Sequence, residues 1–274
     1  MTAAVASSVA SSKEQRRSTD HYRLGDVVAS EWTKFTSLRS TRWILVAFAV
    51  IGVALGILIS ALTGHAWPHL SAQSRAHWDP TNNTLAGLIP GYLLIPMLGV
   101  LMMSSEYSSL AIRSTLAAVP KRHLVLVAKA LVFAAVAFVV DEAVTLVAFL
   151  AGQKVMGTAP HASLGQPGVL RALVLSGAFL ALMGLFGLGI GTIVRRSAWA
   201  IAAYAGVTLV LPMILVALPG HVWRFGPLII LGNSEAAVRI LPGILSPWTG
   251  FAVMALYAAV ALIAGGVLLL RRDA

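Results

Sequence analysis

Long apolar runs separated by short polar or basic segments set the pattern of this chain. The six runs lie near 43–62, 85–103, 124–150, 169–194, 199–218 and 251–270. A helix needs about twenty apolar residues to cross the hydrocarbon core of a bilayer. The pattern therefore predicts an all-α polytopic membrane protein in which residues 43–274 form one domain of six transmembrane helices.

The segment before the first run, residues 24–42, has the spacing of an amphipathic helix. One stripe of the helical wheel holds Leu24, Val27, Val28, Trp32, Phe35 and Leu38. The polar residues Asp26, Ser30, Glu31, Lys34 and Ser37 are placed elsewhere on the wheel. The pattern predicts an interfacial helix in the plane of the membrane surface, with an ordinary soluble helix as the alternative. Residues 1–23 lack the apolar core of a signal peptide, and we expect a disordered cytoplasmic tail.

A polar and basic segment, residues 104–123, lies between the second and third runs. Apolar residues recur in it every three to four positions, and Pro120 ends the pattern. This spacing predicts a short helix between spans two and three.

Small and proline residues mark special positions in the spans. Gly52 and Gly56 in span one, and Ala202 and Gly206 in span five, have the spacing of close-packing pairs, and span four is rich in glycine. Pro90 and Pro96 predict a kink in span two, and Pro212 predicts one in span five. Residues 219–250 are apolar but repeatedly broken by proline, which predicts short broken external helices before span six.

Charge sets the expected orientation. Hydrophobic residues make up 58% of the chain and charged residues 11%, with a net charge of +10. With six spans, all Lys and Arg residues fall on the side of residues 104–123 except Arg75, Lys154, Arg171, Arg224 and Arg239. Short cytoplasmic loops collect basic residues, so this side, with both termini, is expected to be cytoplasmic. Basic residues at helix ends do not form a nucleic-acid face. The absence of cysteine excludes disulfides and thiolate chemistry.

Two carboxylates, Asp141 and Glu142, interrupt the third apolar run. Ionisable residues inside a span usually serve function, which makes them candidates for a transport path or proton relay. Counting from the start of the run places them near its outer end, so an ion pair with Lys154 or Arg171 is the alternative. Tyr204 and Pro212 in span five are further candidates for the path.

Known motifs for other chemistry are weak or missing. The loop residues His65, His69, His77 and Asp79 could hold a metal, but Pro68 interrupts their spacing, and no metal site is assigned. The sequence contains no G-x-x-x-x-G-K-[ST] phosphate-binding loop, no H-E-x-x-H and no G-x-S-x-G. We therefore expect no enzyme activity in this chain.

Two stretches resemble the permease subunits of bacterial ABC-2-type transporters. They are SEWTKFTSLRSTRW at 30–43 and EYSSLAIRSTLAAVPKR at 106–122. The second is similar to the family pattern at Glu106, Ile112, Arg113, Leu116, Pro120 and Arg122. It departs from the pattern at Leu110-Ala111, where Gly-Thr is usual. The order of interfacial helix, six spans and a broken segment before the last span also resembles this family.

The resemblance implies a membrane-spanning subunit of an ATP-driven exporter in the bacterial cytoplasmic membrane. Such permeases work in pairs, so a homodimer is expected, with ATP and Mg bound by a separate ABC ATPase and no cofactor in this chain. The helix between spans two and three would be the cytoplasmic coupling helix that docks on the ATPase. The coupling residues implied are Glu31, Lys34, Glu106, Arg113, Leu116, Pro120 and Arg122.

The expected cargo is a hydrophobic or amphipathic compound, such as a drug, antibiotic or lipid, because the spans carry few polar residues. Two other functions remain open from the residues alone. One is an ion- or proton-coupled carrier that uses Asp141 and Glu142, and the other is a membrane scaffold that anchors an ATPase without transport.

Overall fold

The computed structural model describes residues 23–119, 121–216, 222–237 and 243–271. The expectations for residues 1–22 of the tail and for Pro120 lie outside the described residues. Every regular element in the described ranges is helical. The all-α class is therefore confirmed.

The helices are numbered here in chain order. They are α1 (Leu24–Ser37), α2 (Arg39–Ala66), α3 (Ala72–Ala76), α4 (Pro80–Leu85), α5 (Gly91–Ser108), α6 (Ala111–Ala118), α7 (Arg122–Val155), α8 (Val169–Val194), α9 (Ser197–Ala205), α10 (Leu211–Val216), α11 (Pro227–Glu235) and α12 (Pro247–Arg271). Short 3₁₀ turns lie at Trp67–His69, Ala86–Leu88 and Val222–Phe225, and a π-helical turn at Gly206–Val210 joins α9 to α10.

Six helical segments are long and apolar enough to cross a membrane, as the sequence predicts. They are Arg39–His69, Pro80–Ser108, Arg122–Val155, Val169–Val194, Ser197–Val216 and Pro247–Arg271. The chain is therefore a polytopic α-helical membrane protein by the length and composition of its helices.

The predicted bounds of the first two elements need correction. Helix α1 ends at Ser37 rather than at residue 42, because Leu38 is extended (φ −73°, ψ 119°). Residues 39–42 instead form the first turn of α2. The amphipathic helix is therefore shorter than expected, and a one-residue break separates it from the first span.

Spans two and five are irregular near the expected prolines. In span two, the 3₁₀ turn Ala86–Leu88 and Pro90 separate α4 from α5, whereas Pro96 lies inside α5 without ending it. In span five, the π-helical turn directly precedes Pro212, the second residue of α10. Proline removes a backbone donor and clashes with the preceding turn, which accounts for such local departures.

Helix α8 is the centre of the bundle and packs against α5, α7 and α12. Gly184 lies against Phe133 of α7, and Gly187 lies against the backbone of Pro96 in α5. A β-carbon at either glycine would collide with these atoms, so the glycine-rich sequence of α8 permits the close packing.

The two predicted small-residue pairs have different surroundings. Gly52 packs near Val144 and Leu88, and Gly56 packs near Ala148 and the backbone of Thr84, which confirms the first pair. At Gly206 a β-carbon would meet no described atom within 4 Å, so this position of the second pair is not close-packed within the chain.

Candidate functional site

The segment between spans two and three folds into a short helix, α6, as predicted. The turn that starts it places Leu110 in the left-handed region (φ 58°, ψ 7°). Ile112 is buried and Leu116 is half-buried against the core, while Arg113 is exposed. One face of α6 is therefore fixed to the bundle, and the other is open to a partner.

A cluster of four charged side chains lies beneath α6 and joins it to three other helices. Lys129 of α7 donates to Glu31 of α1 and to Glu106 of α5, with Nζ–Oε distances of 2.6 Å in both cases. Lys34 of α1 lies 2.7 Å from Glu31 Oε1 and 3.4 Å from Glu106 Oε1. Lys34 also donates to the Thr115 hydroxyl of α6 at 3.1 Å. We call Glu31, Lys34, Glu106 and Lys129 the charge cluster.

The charge cluster is buried unevenly. The side chains of Lys129 and Glu31 are 1% and 2% exposed, that of Glu106 is 13% exposed, and that of Lys34 is 39% exposed. Two ammonium groups face two carboxylates, so the cluster has no formal net charge. Buried charges are tolerated only when they are paired and hydrogen-bonded, as these are.

Lys34 is held in its charged form. Partial burial lowers the pKa of its amine, but the hydrogen bond to Glu31 and the charges of Glu106 and Glu31 outweigh this and raise the pKa above its usual value.

The position of Glu31 corrects the expectation that it lies away from the packed face of α1. The buried residues of α1 are Val27, Glu31 and Phe35, and Phe35 packs edge-to-face on Phe133 of α7. Trp32 remains half exposed. Glu31 replaces an apolar residue on the packed face because Lys129 and Lys34 neutralise it there.

Sequence reasoning missed Lys129, which the positive-inside pattern treats only as another cytoplasmic base. Its partners are 98 and 23 residues away along the chain. The signal was present, because Lys129 lies within an apolar run, six residues after His123. A lysine at that depth requires a partner or a route to the surface.

Further contacts tie this end of the bundle together. Arg122 donates to the carbonyl oxygen of Leu269 in α12. The Ser104 and Ser197 hydroxyls, from α5 and α9, are 2.8 Å apart. The Arg195 guanidinium, at the end of α8, lies 4.8 Å from the centre of the Tyr107 ring. Spans two to six thus each contribute to a polar contact at this end of the bundle.

An open cavity of about 290 Å³ lies between α1 and α6. Its polar lining includes Asp26, Ser30, Glu31, Lys34 and Thr115. It therefore reaches the charge cluster directly from the surface of the protein, and both helices contribute to its walls.

The four residues predicted for a transport path are not brought together around one cavity. Pro212 lines an open apolar groove of about 890 Å³ between α8, span five and α12. Tyr204 is buried and donates to the Tyr92 carbonyl oxygen at 2.8 Å. Asp141 and Glu142 lie on α7, and neither lines that groove.

Asp141 and Glu142 lie well inside α7, whereas counting along the apolar run placed them near its outer end. Helix α7 continues to Val155, about 21 Å beyond Asp141, because the helical pattern runs past the apolar run. Asp141 is fully buried. In the part of the chain that the structure describes, neither carboxylate forms an ion pair with Lys154 or Arg171. Arg171 instead donates to the Ala236 carbonyl oxygen.

The loop histidines do not converge. In the described ranges, no three histidine, aspartate or glutamate side chains are grouped to hold a metal. Asp79 instead accepts hydrogen bonds from the backbone at Thr81 and Asn82, at the start of α4, and from Ala237.

Comparison with known proteins adds no assignment, because the chain matches no family model and no curated protein sequence. What the fold defines is a membrane protein with six apolar helices and a charge cluster at one end of the bundle.

Proposed function

We propose that this chain is the permease subunit of an ATP-driven exporter of the ABC-2 type, and that a separate ATPase drives it through α6 and α1. The charge cluster is the single observation that carries the proposal. Helix α6 is tied to α1, α5 and α7 by Lys34, Glu106 and Lys129. A displacement of α6 or α1 is therefore passed to two spans without an intervening flexible segment.

The exposed surface supports docking of a protein partner. Arg113 projects from α6, and the 290 Å³ cavity separates α6 from α1. A partner that contacts both helices would touch the two elements that the charge cluster couples. Packed elements that have two discrete arrangements convert a local shift into movement of whole helices, and α1 and α6 are proposed to act in this way.

The burial of the coupling residues that the resemblance implies suggests a different role for each. Glu31, Lys34 and Glu106 bond within the chain and would transmit motion. Arg113 would contact the ATPase, while Arg122 would hold the start of α7 to α12 through Leu269. On this proposal the charge cluster is cytoplasmic, ATP and Mg are bound by the partner, and two copies of this chain enclose the path.

The cargo proposed is hydrophobic or amphipathic. The 890 Å³ groove is lined by apolar side chains such as Phe186, Leu211 and Val260. An apolar groove of this size accommodates a drug-sized compound or an acyl chain.

The docking role can be tested by charge reversal. We expect Arg113→Glu to abolish co-purification of a nucleotide-binding ATPase from the native membrane, because the exposed cation becomes an anion at the docking face. Lys154→Glu, which reverses an exposed cation on another helix end, should retain the complex. Arg113→Glu with the ATPase still bound in full would refute the proposal.

A proton-coupled carrier is the second candidate, favoured by the burial of Asp141. An ATP-driven exporter and a proton-coupled carrier can be distinguished in proteoliposomes that contain the chain and its co-purified partner. An exporter requires ATP for transport in the absence of a pH gradient, whereas a carrier requires the gradient and not ATP.

A further inference from the structure

Asp141 is buried without a polar partner in the middle of α7. Its side chain is 0% exposed, and neither carboxylate oxygen has a hydrogen-bond partner. One turn further along, the Thr145 hydroxyl is also buried and unpartnered. Helical spacing places these two side chains on the same face of α7.

Within the described part of the chain, the neighbouring elements bring no cation to this face. The packing of Val144 on Gly52 places this part of α7 against α2, and Gly177 of α8 lies against Glu142. Helix α2 has no Lys, Arg or His between Arg42 and His65, and α8 has none between Arg171 and its end. The α4–α5 segment contributes Tyr92 as its titratable group near mid-span, and α12 contributes Tyr257. Glu142, adjacent on α7, adds a second carboxyl whose Oε1 is also buried and unpartnered.

Polar groups continue from Asp141 along one direction of α7 only. About one turn beyond Thr145, Ala148 of α7 packs on Gly56, and the carbonyl oxygen of Thr84 lies against the same glycine. The Thr84 hydroxyl lies 2.9 Å from the Ser60 hydroxyl and 2.9 Å from Gln153 Nε2. At the end of this series, Asn83 donates to the Thr63 hydroxyl at 2.8 Å, and both residues are half-buried. We call this series from Thr145 to Gln153 the polar track.

In the opposite direction the same face of α7 is apolar. Every residue of α7 between Lys129 and Asp141, a stretch of about three turns, is apolar. Ala137, Phe133 and Val132 within this stretch are buried. No polar side chain of α7 on this face bridges Asp141 to the charge cluster.

We propose that Asp141 is a proton-binding site, connected to solvent through the polar track at the end of the bundle that carries Gln153. A buried carboxyl without a cation is neutralised by a proton. The hydroxyl and amide groups of the polar track can pass a proton with the help of transient water. The apolar stretch of α7 that contains Phe133 and Val132 cannot. This assignment is independent of which side of the membrane that end faces, and it holds for either transport mechanism.

Infrared spectroscopy of the full chain in lipid nanodiscs tests the proton. A protonated carboxyl has a C=O stretching band that is distinct from the bands of a carboxylate. We expect the spectrum of the wild type minus that of Asp141→Asn at neutral pH to contain this band, and the band to be unchanged by added sodium or potassium. Carboxylate bands in its place, or a loss of the band on addition of either cation, would overturn the proposal.

Exchange into D₂O tests the route, since replacing the proton shifts the band. We expect Thr84→Val to slow this shift severalfold, because the variant removes the hydroxyl that joins Ser60 to Gln153. Thr208→Val removes a buried hydroxyl from span five, which donates to the Tyr204 carbonyl oxygen, and should leave the rate unchanged. Equal rates in wild type and Thr84→Val would refute the route.

A measurement on the wild type removes the dependence on variant folding. Carbodiimides modify protonated carboxyls in apolar surroundings, and mass spectrometry identifies the modified residue. We expect an adduct at Asp141 whose yield falls as the pH is raised. Modification restricted to Glu142 or Glu235 would assign the proton to those residues and overturn the proposal for Asp141.

Discussion

At the scale of single residues, Lys129 is the most deeply buried member of the charge cluster. It is bonded to two carboxylates from two other helices and is almost completely buried. Removing one member of a buried pair leaves the other charged and unsolvated, which typically costs about 3–5 kcal/mol.

We therefore expect Lys129→Met to lower the thermal midpoint of the detergent-solubilised protein by several degrees, as measured by intrinsic fluorescence. The combination of Lys129→Met with Glu106→Gln should recover part of the loss, because the stranded carboxylate is gone. Lys121→Met, at an exposed position near the same helix end, is the matched control. Equal midpoints for Lys129→Met and Lys121→Met would contradict this account.

Glu235, at the end of α11, provides a pH-dependent contribution. Burial is the main cause that raises the pKa of Glu235 to about 8, while the Tyr92 hydroxyl, 3.3 Å away, opposes the rise. The folded protein thus holds a proton that the unfolded chain releases near pH 4.5. Its contribution to stability is full below the unfolded pKa and is lost as the pH rises towards 8.

Glu235→Gln should reduce the fall of the thermal midpoint between pH 5.5 and 8, because an amide does not titrate. Asp26→Asn, which removes an exposed carboxylate, should leave the pH dependence as in the wild type. An unchanged slope in Glu235→Gln would exclude a buried proton at this position.

Leu110 starts α6 in a left-handed backbone conformation. Its left-handed conformation costs a non-glycine residue about 1 kcal/mol or more, and the side chain is 59% exposed. Leu110→Gly should therefore leave the thermal midpoint unchanged or raise it by a degree or two, whereas Leu110→Val should lower it. The reverse order of the two variants would show that the apolar contact of Leu110 outweighs the backbone strain.

At the scale of elements, the sequence predicted the helices far better than their interactions. The apolar runs predicted all six spans, because membrane insertion depends on local hydropathy. The burial of Glu31 and the pairing of Lys129 were not predictable from local patterns, because their partners come from helices distant in sequence. The length of α7 was underestimated for a related reason, since helical structure continues through the polar Gln153 and Lys154.

Helix α1 is the element whose attachment depends most on the charge cluster. Glu31→Gln weakens its pairing with Lys129 and leaves the apolar contacts of Val27 and Phe35. We expect faster amide hydrogen exchange in α1, and unchanged exchange in α8, when measured by mass spectrometry. Exchange in α1 identical to that of the wild type would mean that the apolar contacts alone hold it.

At the scale of the whole molecule, the exposed apolar surface of span five indicates where a second copy would bind on the proposed function. Span five is the least buried of the six, and a β-carbon at Gly206 would meet no described atom within 4 Å. Small residues on an exposed helix face allow close helix–helix contact in a membrane.

The absence of cysteine from the sequence makes this contact directly testable. We expect Ala202→Cys to form a covalent dimer on mild oxidation in native membranes, because Ala202 is exposed on span five one turn before Gly206. Val50→Cys, at an exposed position of α2, serves as the control and should remain monomeric. Cross-linking of Val50→Cys alone would place the dimer contact on span one instead.

Asp141 lies midway between two polar residues of α7, with Lys129 twelve residues before it and Gln153 twelve residues after it. Each half is about 18 Å long, and no break in the helix separates them. If α7 tilts as a rigid rod about Asp141, a tilt of about 6° shifts its two ends by about 2 Å in opposite directions. A displacement of the charge cluster would then move the polar track by the same distance in the opposite direction.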